Sequence, residues 1–171
     1  MAISTSDYLS VSNPELKAKK FTITIDGGYE ASVITYGAVI TDLIVPDKDG
    51  KPTDIMLGCK GLDEYMGNGA NHGAVIGRSA NRIKDASFEI NGVKYQIPKN
   101  EGENNLHSGN PGYQNVFWDG KILTEEEADE QGRTPGANSV SHRKKLELRQ
   151  KSHAPQVPWQ GVAGRTSDLG L

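Results

Sequence analysis

The sequence holds a single cysteine, Cys59. No disulfide can therefore form within the chain, and the composition fits a reducing compartment. Long apolar runs are missing too, and none approaches the roughly 20 residues of a membrane-spanning helix. The opening stretch, MAISTSDYLSVSNPELKAKK, lacks the apolar segment of a secretory signal. A soluble, cytoplasmic protein with no membrane partner is the expectation. Excess positive charge is also lacking. The formal net charge of −3 gives no general attraction to nucleic acid or to anionic lipid. No sustained helical periodicity appears, and no unit repeats at a fixed solenoid period.

What is present is turn chemistry. The 171 residues include 20 glycines and 8 prolines, with an apolar fraction of only 35%. That profile suits short strands joined by frequent turns, in a chain long enough for one domain with a core. FTITI (Phe21 to Ile25) alternates apolar and polar side chains, as a half-buried strand does. EASVITYG and AVITDLIVP repeat the pattern, and DKDGKPTD is a polar turn before the strand-like DIMLG. GLDEYMGN reads as a short helical or irregular connection, and AVIG as a brief buried strand. SFEINGVKYQI reads as a hairpin turning at Asn91-Gly92. Together these runs predict an all-β, antiparallel β-sandwich over residues 21–123, with residues 1–20 as a lead-in.

After Gly120 the character changes. TEEEADEQG gathers acidic residues, and a basic run from Arg143 to Lys151 follows. Apolar residues there are scattered and too few to build a core. Residues 124–171 are therefore expected to be a divergent tail, irregular and disordered or loosely docked, with a short amphipathic helix across His142 to Lys151 as an alternative that no capping residue supports.

The stretch from Gly73 to Gly120 carries the chemistry. It delivers Asn81-Arg82 between strand-like segments and His107 after an Asn-rich turn. A guanidinium offers rigid forked donors at any working pH, and an imidazole can donate to a hydroxyl or ring oxygen. Together they can grip a polyhydroxylated ligand. Taken alone, such an Arg is usually a surface or ion-pair residue and such a His structural. Asn81 can equally serve to stabilise its turn.

Other candidates carry less. Gly73-Ala-Val-Ile-Gly77 lacks the Gly-Lys-Ser/Thr ending of a phosphate loop. Asp47, Asp49 and Gly50 have the wrong spacing for a calcium loop and fit a hairpin turn. His72 and His107 lack the close Cys or His partners of a zinc site, so no metal is expected. The basic run from Arg143 to Lys151 comes without the aromatics or fold signature of a nucleic-acid binder. Cys59 follows an apolar run, where an inert buried thiol is the common case.

The motifs GRSANRI, EINGVKYQI and NNLHSG, with Gly112 and Trp118 after them, resemble the aldose 1-epimerase (galactose mutarotase) family. The ITYGA run, the VPDKDGKPTDIMLG segment and the GLDEYMGN turn extend the likeness over about residues 20–123. The resemblance implies a mutarotase-like β-sandwich that interconverts the α and β anomers of an aldose such as galactose or glucose. It needs no cofactor. It also implies substrate-binding roles for Arg82 and His107, with Asn81 beside them. The family's general acid, a second histidine, and its general base, a glutamate, lie further downstream. His142, His153, Glu147 and Asp168 match none of those motifs, so no catalytic pair is assigned, and a non-catalytic carbohydrate-binding fragment is the alternative. The chain accordingly reads as a truncated sandwich of low stability. Shifting plausible codons for Gln150 to Thr166 by one nucleotide can yield a Phe-Pro-Gly-containing string of the family's kind, so the tail is expected to reflect a shifted reading frame or gene-model error.

Overall fold

The alternation in FTITI becomes part of strand β2 in a five-stranded antiparallel sheet whose strands run in sequential order. These are β1 (Ala2–Leu9), β2 (Lys17–Ile25), β3 (Tyr29–Ile34), β4 (Ile40–Pro46) and β5 (Pro52–Asp54). The computed structural model describes residues 2–67, 70–124, 126–127 and 145–150. Helix α1 (Leu62–Gly67) follows the sheet. Then come β6 (Arg82–Ile83), β7 (Ser87–Ile90), β8 (Val93–Gln96), β9 (Asn105–Leu106), β10 (Trp118–Leu123) and β11 (Lys145–Gln150). The fold is all-β and antiparallel, as the alternating runs predict.

Register decides what each sheet face buries. Tyr8 pairs with Ala18, and Lys20 with Ile34, so Tyr8, Ala18 and Ile34 share one face. Helix α1 covers that face with Leu62 and Tyr65, three residues apart and thus on one helical side. These residues form the core with Tyr36 and Val39, and Cys59 packs against it, partly buried. The Tyr8 hydroxyl donates to the Cys59 carbonyl at 2.8 Å, and the Cys59 N–H donates to the Tyr65 hydroxyl at 3.0 Å. Phe21 points to the opposite face, where the β10–β11 ribbon lays Gly120 against its ring with Leu148 alongside.

One antiparallel bridge, Tyr36 to Phe117, ties the segment after the candidate site to the main sheet. Its two bonds run from Trp118 N–H to the Thr35 carbonyl at 2.6 Å and from Gly37 N–H to the Val116 carbonyl at 2.8 Å. The Tyr36 and Phe117 rings meet edge to face, with centroids 5.2 Å apart.

Four local readings need correction. The stretch read as a lead-in contains β1, which pairs with β2 from Ala2↔Thr24 to Leu9↔Lys17. Its exposed polar side chains hide it from an alternation test, and Asp7 secures it by ion pairs to Lys17 and Lys19 across the strands. DIMLG is not a strand. The ladder stops at Asp54, whose carboxylate accepts from both Leu43 N–H and Met56 N–H and so takes the place of a backbone acceptor. AVIG lies outside the strands and keeps one sheet-like bond, from Val75 N–H to the Gly37 carbonyl. Within the stretch read as irregular, residues 145–150 form β11 rather than a helix, with Leu146 and Leu148 on one side of a two-residue alternation. The rest of that reading, over 128–144 and 151–171, lies outside the described residues, as does most of the basic run.

Candidate functional site

Two short antiparallel rungs build the site. Arg82 pairs with Leu106 and Ile83 with Asn105, joining β6 to β9. The intervening chain folds out as the β7–β8 hairpin, whose turn at Asn91 and Gly92 has φ of 52° and 77°. Both turn residues are left-handed, as a two-residue hairpin turn requires, and glycine meets that demand at no steric cost. The hairpin read from the sequence is therefore present, but the β6–β9 rungs beneath it are what bring Asn81-Arg82 beside His107.

The contact between the two loops is reciprocal. His107 N–H donates to the Asn81 carbonyl at 3.0 Å, and Asn81 N–H donates to His107 Nδ1 at 3.2 Å. Both residues are left-handed, with φ of 60° at Asn81 and 54° at His107. Asparagine tolerates that region readily, histidine less so. An Nδ1 that accepts carries no proton, so the neutral ring holds its hydrogen on Nε2 and offers a donor there. One residue further along, Ser108 Oγ accepts from Ser79 N–H at 2.6 Å and donates to the Ser79 carbonyl at 3.1 Å.

Arg82 is held on its other side. Its Nε and Nη2 donate to Glu101 Oε1 at 3.0 and 2.8 Å, and its Nη1 reaches Asn81 Oδ1 at 3.4 Å. The Glu101 carboxylate raises the guanidinium pKa further, and the guanidinium in turn holds Glu101 below the usual carboxylate range. Asn100 braces the opposite rung: its Oδ1 accepts from Leu106 N–H at 2.7 Å and its Nδ2 donates to the Leu106 carbonyl at 2.9 Å.

Beside these loops lies a cleft of about 360 Å³. Its wall carries His107 and five carboxamides, those of Asn71, Asn100, Asn110, Gln114 and Asn115. Amides and an imidazole supply donors and acceptors without net charge, which suits a neutral polar ligand. Gln114 is 6% exposed, and its Oε1 has no hydrogen-bond partner. Asn81 and Arg82 are not part of this wall; they adjoin it through His107. Among the described residues of the wall, His107 is the one titratable side chain. Among the described residues, no three His, Cys, Asp or Glu side chains gather as a metal site would need. No helix among them is long and apolar enough to cross a membrane.

The family model for aldose 1-epimerase matches residues 19–141. The chain belongs to the aldose 1-epimerase family. A galactose mutarotase from Mus musculus is 39% identical over 106 residues, which is 62% of this chain and 31% of the relative. An aldose 1-epimerase from Streptococcus thermophilus is 37% identical over 99 residues, 58% of this chain and 28% of the relative. Among solved structures, an aldose epimerase homologue from C. elegans superposes with a TM-score of 0.57 at 28% identity, covering 71% of this chain and 33% of that one. The galactose 1-epimerase from Lactobacillus acidophilus shares the fold, with a TM-score of 0.60 at 22% identity over 72% of this chain and 35% of that one. This aldose 1-epimerase family chain thus spans about a third of the length of the relatives it matches.

The sequence reading of the family chain omitted Glu101, Asn100 and Gln114. The first two lie in the Asn- and Glu-rich turn before His107, and that polar density was their only signal. Gln114 gave none, because its burial depends on a close approach to the main sheet.

Proposed function

We propose that this chain binds an aldose in the cleft beside His107 and that the site serves the interconversion of α and β anomers. The observation that carries the reading is the interlock of Asn81 and His107, with Arg82 one residue on. Its support is that Nδ1 accepts, which leaves the donor on Nε2 of a residue that lines the cleft, with the forked cation of Arg82 adjoining. Ring opening needs a base at the anomeric hydroxyl and an acid at the ring oxygen, while hydroxyl-holding donors supply orientation. Arg82 and His107 suit the second task. The carboxamides of the wall match the alternating donors and acceptors of a pyranose. A single cysteine supports a cytoplasmic setting.

The second reading is a carbohydrate-binding piece without turnover. What favours it is the described cleft wall, where His107 alone can exchange a proton. Two measurements on the full 171-residue chain separate the readings. Titrating galactose or glucose into labelled protein should shift the resonances of His107 and Arg82 saturably; no shift at high sugar sinks both. Polarimetry on freshly dissolved α-galactose or α-glucose should show mutarotation faster than buffer; binding without acceleration leaves the second reading standing.

A further inference from the structure

Glu101 stands outside the cleft wall and has no part in the grip described so far, yet it takes two of Arg82's hydrogen bonds. Both bonds come from one edge of the guanidinium, Nε and Nη2, onto a single oxygen, Oε1. The other oxygen, Oε2, accepts from Asn104 Nδ2 at 3.3 Å. Asn104 is itself fixed. Its N–H donates to the Glu101 carbonyl at 2.9 Å, its carbonyl accepts from Glu101 N–H at 3.2 Å, and its Oδ1 accepts from Asp85 N–H at 3.3 Å. The carboxylate is thus seated by its own turn before it meets the arginine. A guanidinium has five N–H donors. Glu101 takes two and Asn81 one, so one N–H on each terminal nitrogen is left over.

We propose that Glu101 is a positioning residue, which clamps the inner edge of Arg82 so that its two remaining N–H groups stand ready for the ligand's hydroxyls. This rests on the sugar-site reading above. The Arg82 side chain is 52% exposed, and on an open surface an arginine samples many rotamers. Clamped at one edge, it presents a fixed pair of donors and the ligand need not order it. The charge that an approaching neutral sugar would meet is also partly balanced in advance. The ion pair itself, exposed as it is, adds little to folding stability. Its effect is expected in binding. Glutamine at this position keeps the shape, but with its oxygen toward Arg82 it turns an NH₂ toward Asn104 Nδ2, itself a donor, so that bond is lost along with the charge.

The test uses the full chain with galactose as probe. In Glu101→Ala, sugar affinity should fall about threefold to tenfold, the cost of ordering one long side chain on binding, while the melting temperature stays near that of the wild type. In an Arg82→Gln background the same Glu101→Ala change should have no further effect, since the two act as one unit. Without sugar, exchange of the Arg82 Nε–H should be slow in the wild type and fast in Glu101→Ala and Glu101→Gln. Unchanged affinity in Glu101→Ala, or an equal loss with and without Arg82, overturns the positioning role and leaves the sugar site intact. A protected Nε–H in a wild type that binds no sugar overturns the sugar-site reading, and the positioning role goes with it. An Nε–H equally labile in all three proteins overturns the clamp itself.

Discussion

The backbone N–H of Asn81 donates to Nδ1 of His107 across 3.2 Å, and His107 returns a bond to the Asn81 carbonyl at 3.0 Å. A loop thereby dictates the tautomer of a ring. With Nδ1 occupied as an acceptor, the imidazole presents N–H at Nε2. The consequence is visible by nitrogen NMR: neutral His107 should show an unprotonated Nδ1 and a protonated Nε2. The Asn81 amide should exchange slowly, since its N–H is held by Nδ1. An Asn81 amide that exchanges like an unbonded N–H, or the opposite tautomer, contradicts the interlock.

Gly112 sits where a side chain has no room. A Cβ there would lie 2.5 Å from Gln114 Oε1 and 2.7 Å from the His107 carbonyl. The backbone at this glycine is ordinary, with φ of −86°, so the constraint is packing and not conformation. We expect Gly112→Ala to lose about 1–3 kcal/mol, the usual range for overpacking. It should also shift the His107 and Gln114 resonances by pushing apart the two sides of the cleft. A melt and spectrum matching the wild type would show that the loop yields freely.

These two sites differ in how far sequence could reach them. The β2–β4 runs and the Asn91-Gly92 hairpin follow from side-chain period and turn chemistry, both local properties. Arg82 and His107 could be named because their residue types suit the chemistry and because GRSANRI and NNLHSG resemble a family. Glu101 and Gln114 could not. Glu101 matters through a bond to a strand on the far side of a hairpin, and Gln114 through the approach of its own carbonyl to Gly37, where a Cβ would come within 2.6 Å. Strand β1 escaped for another reason. Its own middle residues, Ser4 to Asp7, are hydroxyls and a charge, which leave no apolar period to read.

That charge makes a pH prediction. Asp7 faces Lys17 and Lys19, whose ammonium groups donate to its carboxylate and lower its pKa from 3.8 to about 2. A depressed carboxyl pKa stabilises the fold above the unfolded value, and that contribution is lost as pH falls through the folded one. We therefore expect β1 to loosen between about pH 4 and pH 2, read as faster amide exchange over Ala2–Leu9. In Asp7→Asn the same strand should already exchange faster at neutral pH and change little on acidification. Equal acid sensitivity in both proteins would assign the effect to another carboxylate.

Helix α1 tests whether the core and the cleft form one unit. It spans only Leu62–Gly67, far below the length at which a helix persists alone in water. Burial must hold it, and Leu62, fully inaccessible, sits against Ala18, Ile34, Tyr36, Val39 and Tyr65. The same short helix ends in Met66 and Gly67, which line the cleft. Leu62→Ala should cost about 2–5 kcal/mol, a range set by how far the surroundings collapse into the void. That is a large share of the roughly 5–15 kcal/mol that keeps a domain folded. Met66→Ala, at a side chain 42% exposed, should change stability by less than about 1 kcal/mol. The discriminating measurement is sugar binding under conditions where Leu62→Ala remains mostly folded. If α1 is part of the wall, affinity falls in Leu62→Ala more than stability alone explains, because the helix no longer holds Met66 and Gly67 in place. Affinity unchanged from the wild type would mean that the cleft is supported by the loops around His107 without the helix.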